Sequence, residues 1–467
     1  MRRKALSLGR IVAAAVLFLP FCGVGRNEPT KLPNVLLISL DTLRADHLGC
    51  YGYGRDTSPN LDKFAKEGVL FESVTAAASW TVPSHMSLFT SLYPSVHGVE
   101  SVDKQLGEAI PTMAEILARN GYATAGFVTG PSLNRAMGFH RGFQSYDDYT
   151  VNLMCEENLF HDLDAKKLTV NQVPTNHVIT NLATAWLKKH ADERFFLFVH
   201  YWDCHSDYIP PPPYDKRFDP DYAGPEDGRN IAARHAELEG NAPPEVKRHL
   251  VALYDGEIGW TDSHVGKLLA TLSDLRLSEK TIVIILSDHG EGFWEHGKIE
   301  HGYGLYEELV HVALLMRWPG MLPAGARVKG DVSHVDLLPT LLGLLGLPKP
   351  QITHGLDLSS VCLGKQEVPD RPVFSESKGE RAVRWGPYKV IQEPSKPVGP
   401  LLVVRNGGEN EAQKVGVNER TALDARQRLV ATLNAGVAHP AVAGWLAKPA
   451  EPDEKTTRLL RSLGYMQ

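Results

Sequence analysis

In the stretch Trp80-Thr81-Val82-Pro83-Ser84-His85 a hydroxyl stands two residues ahead of a proline and four ahead of an imidazole. Proline is preorganised for the first turn of a helix, so Thr81 is expected just before a helix N-terminus. Free N–H groups and the positive end of the helix dipole converge there and attract an anion. A hydroxyl held at an anion site is a candidate nucleophile toward a phosphate or sulfate ester. The plainer reading of the same residue is an N-cap.

Three apolar runs, far apart in the chain, end in residues suited to binding hard or borderline metal ions. Val35–Leu40 leads to Asp41; Phe195–Val199 leads to His200, Asp203 and His205; Thr281–Leu286 leads to Ser287-Asp288-His289-Gly290. Short runs rich in β-branched and aromatic residues, alternating with helical patterns, read as buried parallel strands. Ligands bind beyond the carboxyl ends of such strands, so these polar ends and Thr81 can share one crevice.

The elements that must position them follow from the pattern. Helices are expected over Ser58–Gly68, from Ile110 to Asn120-Gly121, and over Asn176–His190, Glu245–Leu272 and Val335–Gly343. Further strands are expected at Val69–Ser73, Tyr122–Val128 and Leu314–Arg317. Alternation of this kind makes an α/β fold, a mainly parallel sheet sandwiched by helices. Tyr149–Thr175 and Asp219–Pro244 read as irregular rim segments. Beyond about Val361 the texture changes: Arg381–Trp385 and Tyr388–Ile391 form an antiparallel pair around Gly386-Pro387, followed by a helix over Arg420–Ala435. A small C-terminal sheet-plus-helix unit is expected there.

The 467 residues, 43% of them hydrophobic, suffice for a large core, and a net charge of −6 gives no electrostatic case for nucleic acid. Arg2, Arg3, Lys4 and Arg10 precede the apolar run Ile11–Phe21, the layout of an export leader. Residues 1–26 are read as a signal peptide, with a periplasmic or cell-surface destination. Cys22 is the residue through which a lipid would tether the chain, the one expected route to a membrane. The five cysteines show no CxxC pair, and a disulfide among the later four stays open.

With these residues in hand, the chain resembles the sulfatase branch of the alkaline phosphatase superfamily over about Pro33 to Leu347, and again in its tail. The resemblance rests on Pro33-Asn34-Val35 through Asp41-Thr42-Leu43-Arg44, on Ser58-Pro59-Asn60-Leu61-Asp62 with Gly68–Phe71, and on Thr81–His85 with Leu88, Phe89 and Thr90. Ser287–Glu291, His301-Gly302, Val335–Thr340 and the tail Leu460–Tyr465 complete it. It implies an alkaline-phosphatase-like fold, with a catalytic domain over 33–360 and a C-terminal subdomain over 361–467. Several positions depart from the family pattern. Sulfatases convert Cys or Ser at the nucleophile position to formylglycine, which Thr81 cannot become; His85 stands in place of Arg. Thr42 replaces a second Asp, His289 an Asn, and His301 falls near a Lys. These departures resemble the family's phosphodiesterase and phosphotransferase relatives.

On that resemblance Asp41, Thr81, Asp288 and His289 form a metal site, in which the ion would lower the pKa of the Thr81 hydroxyl. Imidazole favours zinc or manganese, with calcium the family's usual ion. Asp203, His205 and His301 hold a second ion, or the two imidazoles act as acid catalyst and anion donors; one ion or two stays open. His85 lies near the anion a turn into the helix, and Arg44 braces the first metal loop through its fork of donors. The expected activity is metal-dependent cleavage of a sulfate or phosphate ester, on a small-molecule, glycan or lipid substrate. A phospho-group transferase to a glycan or lipid alcohol and a noncatalytic surface binding protein are the alternatives.

Overall fold

The computed structural model describes residues 32–156, 173–392, 402–403, 427–428, 430–432, 447–462 and 466. The leader, Cys22, most of the segment expected as an irregular rim over Tyr149–Thr175, and most of the helix expected over Arg420–Ala435 lie outside them; the described start of that rim, Thr150–Glu156, is helical, not irregular. Pro33–Gln467 gather into one compact unit.

Eight strands make the main sheet: β1 (Asn34–Leu40), β2 (Val69–Phe71), β3 (Ala123–Phe127), β4 (Ser145–Asp147), β5 (Phe195–Tyr201), β6 (Thr281–Ser287), β7 (Leu314–Arg317) and β8 (Ala326–Val328). They lie in the order β8-β2-β7-β6-β1-β5-β3-β4. All adjacent pairs are parallel except the two made by β7. The central strand β1 is flanked by β5 and β6, and all three are buried along their whole length. Strands covered on both faces need apolar residues at every position, which is why their sequences read as continuous runs.

The helices include α1 (Pro59–Glu67), α2 (Thr81–Thr90), α3 (Met113–Arg119), α4 (Asn176–Lys189), α5 (Pro244–Asp274) and α6 (Leu337–Leu345). Leu36, Ile38 and Leu40 of β1 join a core with Phe64 of α1, Leu187 of α4 and Leu250 and Leu268 of α5. Successive strand residues face opposite sides. Ser39 therefore points the other way, where its hydroxyl meets His85 of α2.

Two boundaries differ from expectation in ways that matter for the site. β5 runs past Val199 to Tyr201, because Tyr201 O accepts from Asp41 N at 2.9 Å and keeps the strand paired with β1. His200 is thus a strand residue, not a loop residue. Helix α2 begins at Thr81 itself: Trp80, extended at φ −162° and ψ 163°, takes the N-cap position without a side-chain cap bond. The N-cap reading of Thr81 is therefore corrected, and its hydroxyl is left for another partner.

A four-stranded antiparallel sheet follows: β9 (Val373–Ser377), β10 (Glu380–Trp385), β11 (Tyr388–Gln392) and β12 (Leu402–Val403). The β10–β11 pair turns at Gly386-Pro387, as expected. β9 escaped the sequence pattern because Ser375, Glu376 and Ser377 are polar yet buried. The segment expected as loop over Asp219–Pro244 carries a short helix at His235–Asn241. Cys50, Cys204 and Cys362 are free thiols. Among the described residues no helix is long and apolar enough to cross a membrane.

Candidate active site

Three strand ends and the start of α2 converge. Thr81 Oγ1 lies 3.2 Å from His289 Nε2. The same nitrogen is 3.4 Å from Asp288 Oδ2 and 3.6 Å from Asp41 Oδ1. The fold thus brings Asp41, Thr81, Asp288 and His289 together, all fully buried. Gly290 permits this: a Cβ there would stand 1.9 Å from Glu308 O, so no side chain fits behind the Asp288-His289 pair.

His200 is in the same cluster; the sequence placed it at a strand end suited to metal binding but gave it no specific role. Its Nε2 is 3.1 Å from Asp41 Oδ2. The signal was present, since His200 ends an apolar run, but the strand seemed to stop one residue too early. His85 is placed beside them, with Nδ1 3.0 Å from Thr81 O and 3.4 Å from Asp288 Oδ2, and Nε2 2.9 Å from Ser39 Oγ.

The tautomers follow from the partners. A backbone carbonyl can only accept, so His289 Nδ1 carries the proton it gives to Gly290 O at 2.9 Å, and His200 Nδ1 the one it gives to Thr129 O at 3.1 Å. Each neutral ring then turns its Nε2 lone pair toward carboxylate oxygens. Asp288 Oδ1 accepts from His289 N and Thr42 N, whereas Asp288 Oδ2 and Asp41 Oδ1 are buried without a hydrogen-bond partner. Acceptors facing acceptors in a dry site require shared protons or a cation between them. Burial pushes Asp41 and Asp288 up to about 7, and pulls His289 down to about 3 and His200 to about 4. Asp41, Asp288 and His289 offer ligand atoms all within 4.8 Å of one another, as do His85, His200 and Asp288, so these residues can hold a divalent ion.

The remaining candidates surround this cluster in different ways. His301 Nδ1 shares a hydrogen bond with Glu291 Oε1 at 3.1 Å, and its ring centroid is 4.6 Å from that of His289. His205 gives Nδ1 to Ser206 O at 2.7 Å, stacks on Trp202 at 4.0 Å and meets His301 edge-on at 4.7 Å. The Arg44 guanidinium binds Asp46, Glu291 O and Glu295, clamping the loop after β1 to the loop after β6.

Asp203 is not brought into the cluster. Its carboxylate accepts from Thr175 N, Asn176 N and Trp260 Nε1 at 2.7–2.9 Å, and from the Thr175 hydroxyl, tying the start of α4 to α5. These bonds consume the oxygens that an ion would need. Asp203→Ala leaves those buried donors unpaired and is expected to destabilise the fold by about 2–4 kcal/mol. Bound metal per chain should stay unchanged; denaturant titration alongside elemental analysis checks both, and a loss of metal at full stability would reinstate Asp203 as a ligand.

The sulfatase family profile matches residues 33–347. The chain belongs to the sulfatase family. Among curated relatives of this sulfatase, the uncharacterized sulfatase YidJ of Escherichia coli is 27% identical, with 71% of each chain covered. Human arylsulfatase A is 29% identical over 76% of this chain and 74% of the relative. The crystal structure of the phosphonate monoester hydrolase of Agrobacterium radiobacter matches at a TM-score of 0.71 and 21% identity, covering 86% of this chain and 95% of that one. This last likeness is one of fold, an alkaline-phosphatase-like sheet between helices. The sulfatase is thus a hydrolase of sulfuric or phosphoric esters.

Proposed function

We propose that this sulfatase cleaves a sulfate, phosphate or phosphonate ester by in-line attack of Thr81 Oγ1, with Asp41, His200, Asp288 and His289 holding a divalent cation beside it. The observation that carries this reading is the Thr81 Oγ1 to His289 Nε2 contact of 3.2 Å amid two orphaned carboxylate oxygens. When bound, the cation would supply Lewis-acid stabilisation of the nonbridging oxygens and favour the ionised hydroxyl.

The chain's own residues account for the rest. The first turn of α2 offers backbone N–H groups and the positive dipole end to the anionic group. Thr81 Oγ1, its proton released to solvent beforehand, forms its bond to sulfur or phosphorus as the bond to the leaving oxygen breaks. His301 or His205, each held through Nδ1, turns Nε2 toward that oxygen and, once that nitrogen has taken a proton from solvent, can pass it on. Water then cleaves the ester on Thr81, restoring the hydroxyl. Because Thr81 cannot become formylglycine, phosphorus esters are favoured over sulfate. We read residues 1–26 as an export leader, 33–360 and 361–467 as catalytic and C-terminal parts, and the substrate as a small-molecule or glycan ester.

The test compares rates on nitrophenyl sulfate, phosphate monoester, phosphodiester and phosphonate ester with added Zn, Mn or Ca. Turnover of phosphorus esters with Zn or Mn is expected. Turnover appearing only with an alcohol acceptor would make the protein a transferase, and no turnover with no bound metal would leave a binding protein.

Metal loading has a predictable pH dependence. His200 and His289 are already neutral above about pH 5, whereas Asp41 and Asp288, raised to about 7, must release protons to bind a cation. Zinc affinity is therefore expected to rise with pH through about 7 and then level off. Calorimetry in buffers of different ionisation enthalpy should show proton release at pH 6 that shrinks by pH 8; equal release at both would refute this account.

A further inference from the structure

The C-terminal sheet is bonded to the residues that lead into Thr81. Ser375 Oγ donates to Ala76 O at 2.6 Å, and Glu376 N donates to Ala77 O at 2.8 Å. Glu376 Oε2 also accepts from Ser95 N, beyond the far end of α2, at 2.8 Å. The turn after β9, Lys378-Gly379, is consequently delivered to the mouth of the site. Lys378 Nζ lies 5.9 Å from the Trp80 ring centroid and 3.2 Å from the point where a Cβ on Gly302 would stand. Gly302 follows His301 and is itself tied to the nucleophile segment by Gly302 N to Ser79 O at 3.0 Å. The ammonium group therefore stands at the seam between the residue before the nucleophile and the residue after His301.

Its backbone is held at φ 48°, a left-handed conformation that lysine adopts rarely and that surrounding structure must enforce. Lys378 is thus placed by the sheet, its ammonium group beside Trp80 and Gly302 at the edge of a centre built of carboxylates and neutral imidazoles. We propose that Lys378 binds the tetrahedral oxyanion of the substrate, the sulfate, phosphate or phosphonate group itself, as a substrate-binding residue supplied by the C-terminal sheet. This rests on the reading of the Thr81 centre as an ester site. A charge-assisted hydrogen bond from Nζ to a nonbridging oxygen is the interaction expected.

The test is calorimetric titration of inorganic phosphate and inorganic sulfate into the zinc-loaded full chain. Lys378→Asn is the informative variant, because asparagine tolerates a left-handed backbone and removes only the charge and reach. It is expected to weaken phosphate binding roughly tenfold, the loss of one charge-assisted bond, with an unchanged or raised melting temperature. Lys378→Arg should retain binding within about threefold, since the charge persists. Lys298→Met, removing a nearby cation seated 5.0 Å from the Tyr303 ring centroid, should leave binding within about twofold. A structural role alone would move the melting temperature and spare phosphate affinity. Wild-type binding unchanged in Lys378→Asn overturns the proposal and leaves the ester site standing; a zinc-loaded wild type that binds neither anion overturns both.

Discussion

Replacing Thr81 with alanine is expected to lower kcat/KM on a phosphorus ester by roughly three orders of magnitude or more. The hydroxyl is the only group that the substitution removes beyond one methyl, and it does not cap α2, whose N-cap is Trp80. Helix stability should therefore change little, so lost activity would report chemistry and not unfolding. Thr81→Ser keeps the hydroxyl beside His289 Nε2 and should retain measurable turnover. A covalent adduct trapped by acid quench and read by peptide mass should appear on Thr81 and vanish in Thr81→Ala. Full activity in Thr81→Ala would remove Thr81 from the mechanism and move the search for the nucleophile to another group or to solvent water.

Removing metal is expected to abolish turnover and lower the melting temperature by several degrees, both restored by zinc or manganese. The stability effect follows from mass action: an ion present at a thousandfold excess over its Kd adds about 4 kcal/mol. The electrostatics sharpen the expectation. Asp41 Oδ1 and Asp288 Oδ2 are buried without hydrogen bonds, and a cation would satisfy both. His289→Ala should reproduce the chelator's effect and resist rescue; His200→Ala should lose metal too, though Thr81 stays in place. An unchanged melting curve with and without chelator would sink the metal reading and leave these carboxylates as a shared-proton pair.

Much of the fold could be read from the chain because strand and helix periods differ so clearly. β1, β5 and β6 are unbroken apolar runs, and α1 carries Leu61, Phe64 and Ala65 on one face. The gathering of Asp41, Thr81, Asp288 and His289 followed from placing strand ends in one crevice. What escaped depended on contacts far apart in sequence. His200 is set by how far β5 stays paired with β1, and Asp203 by the donors of Thr175, Asn176 and Trp260. β9 ends in Ser375, Glu376 and Ser377 because its side chains and backbone answer Ala76, Ala77 and Ser95. None of these partners leaves a periodic trace.

Every one of the ten residues of α2 is buried, down to Ser84, His85 and Ser87. A helix enclosed on all sides can neither tilt nor slide without breaking close packing. Thr81 is thus a fixed reference point, and accommodation of substrates of different size must come from the loops and hairpin around it. Diversification of such a scaffold would accordingly proceed by exchanging its entrance, with the helix beneath inherited as one immobile part.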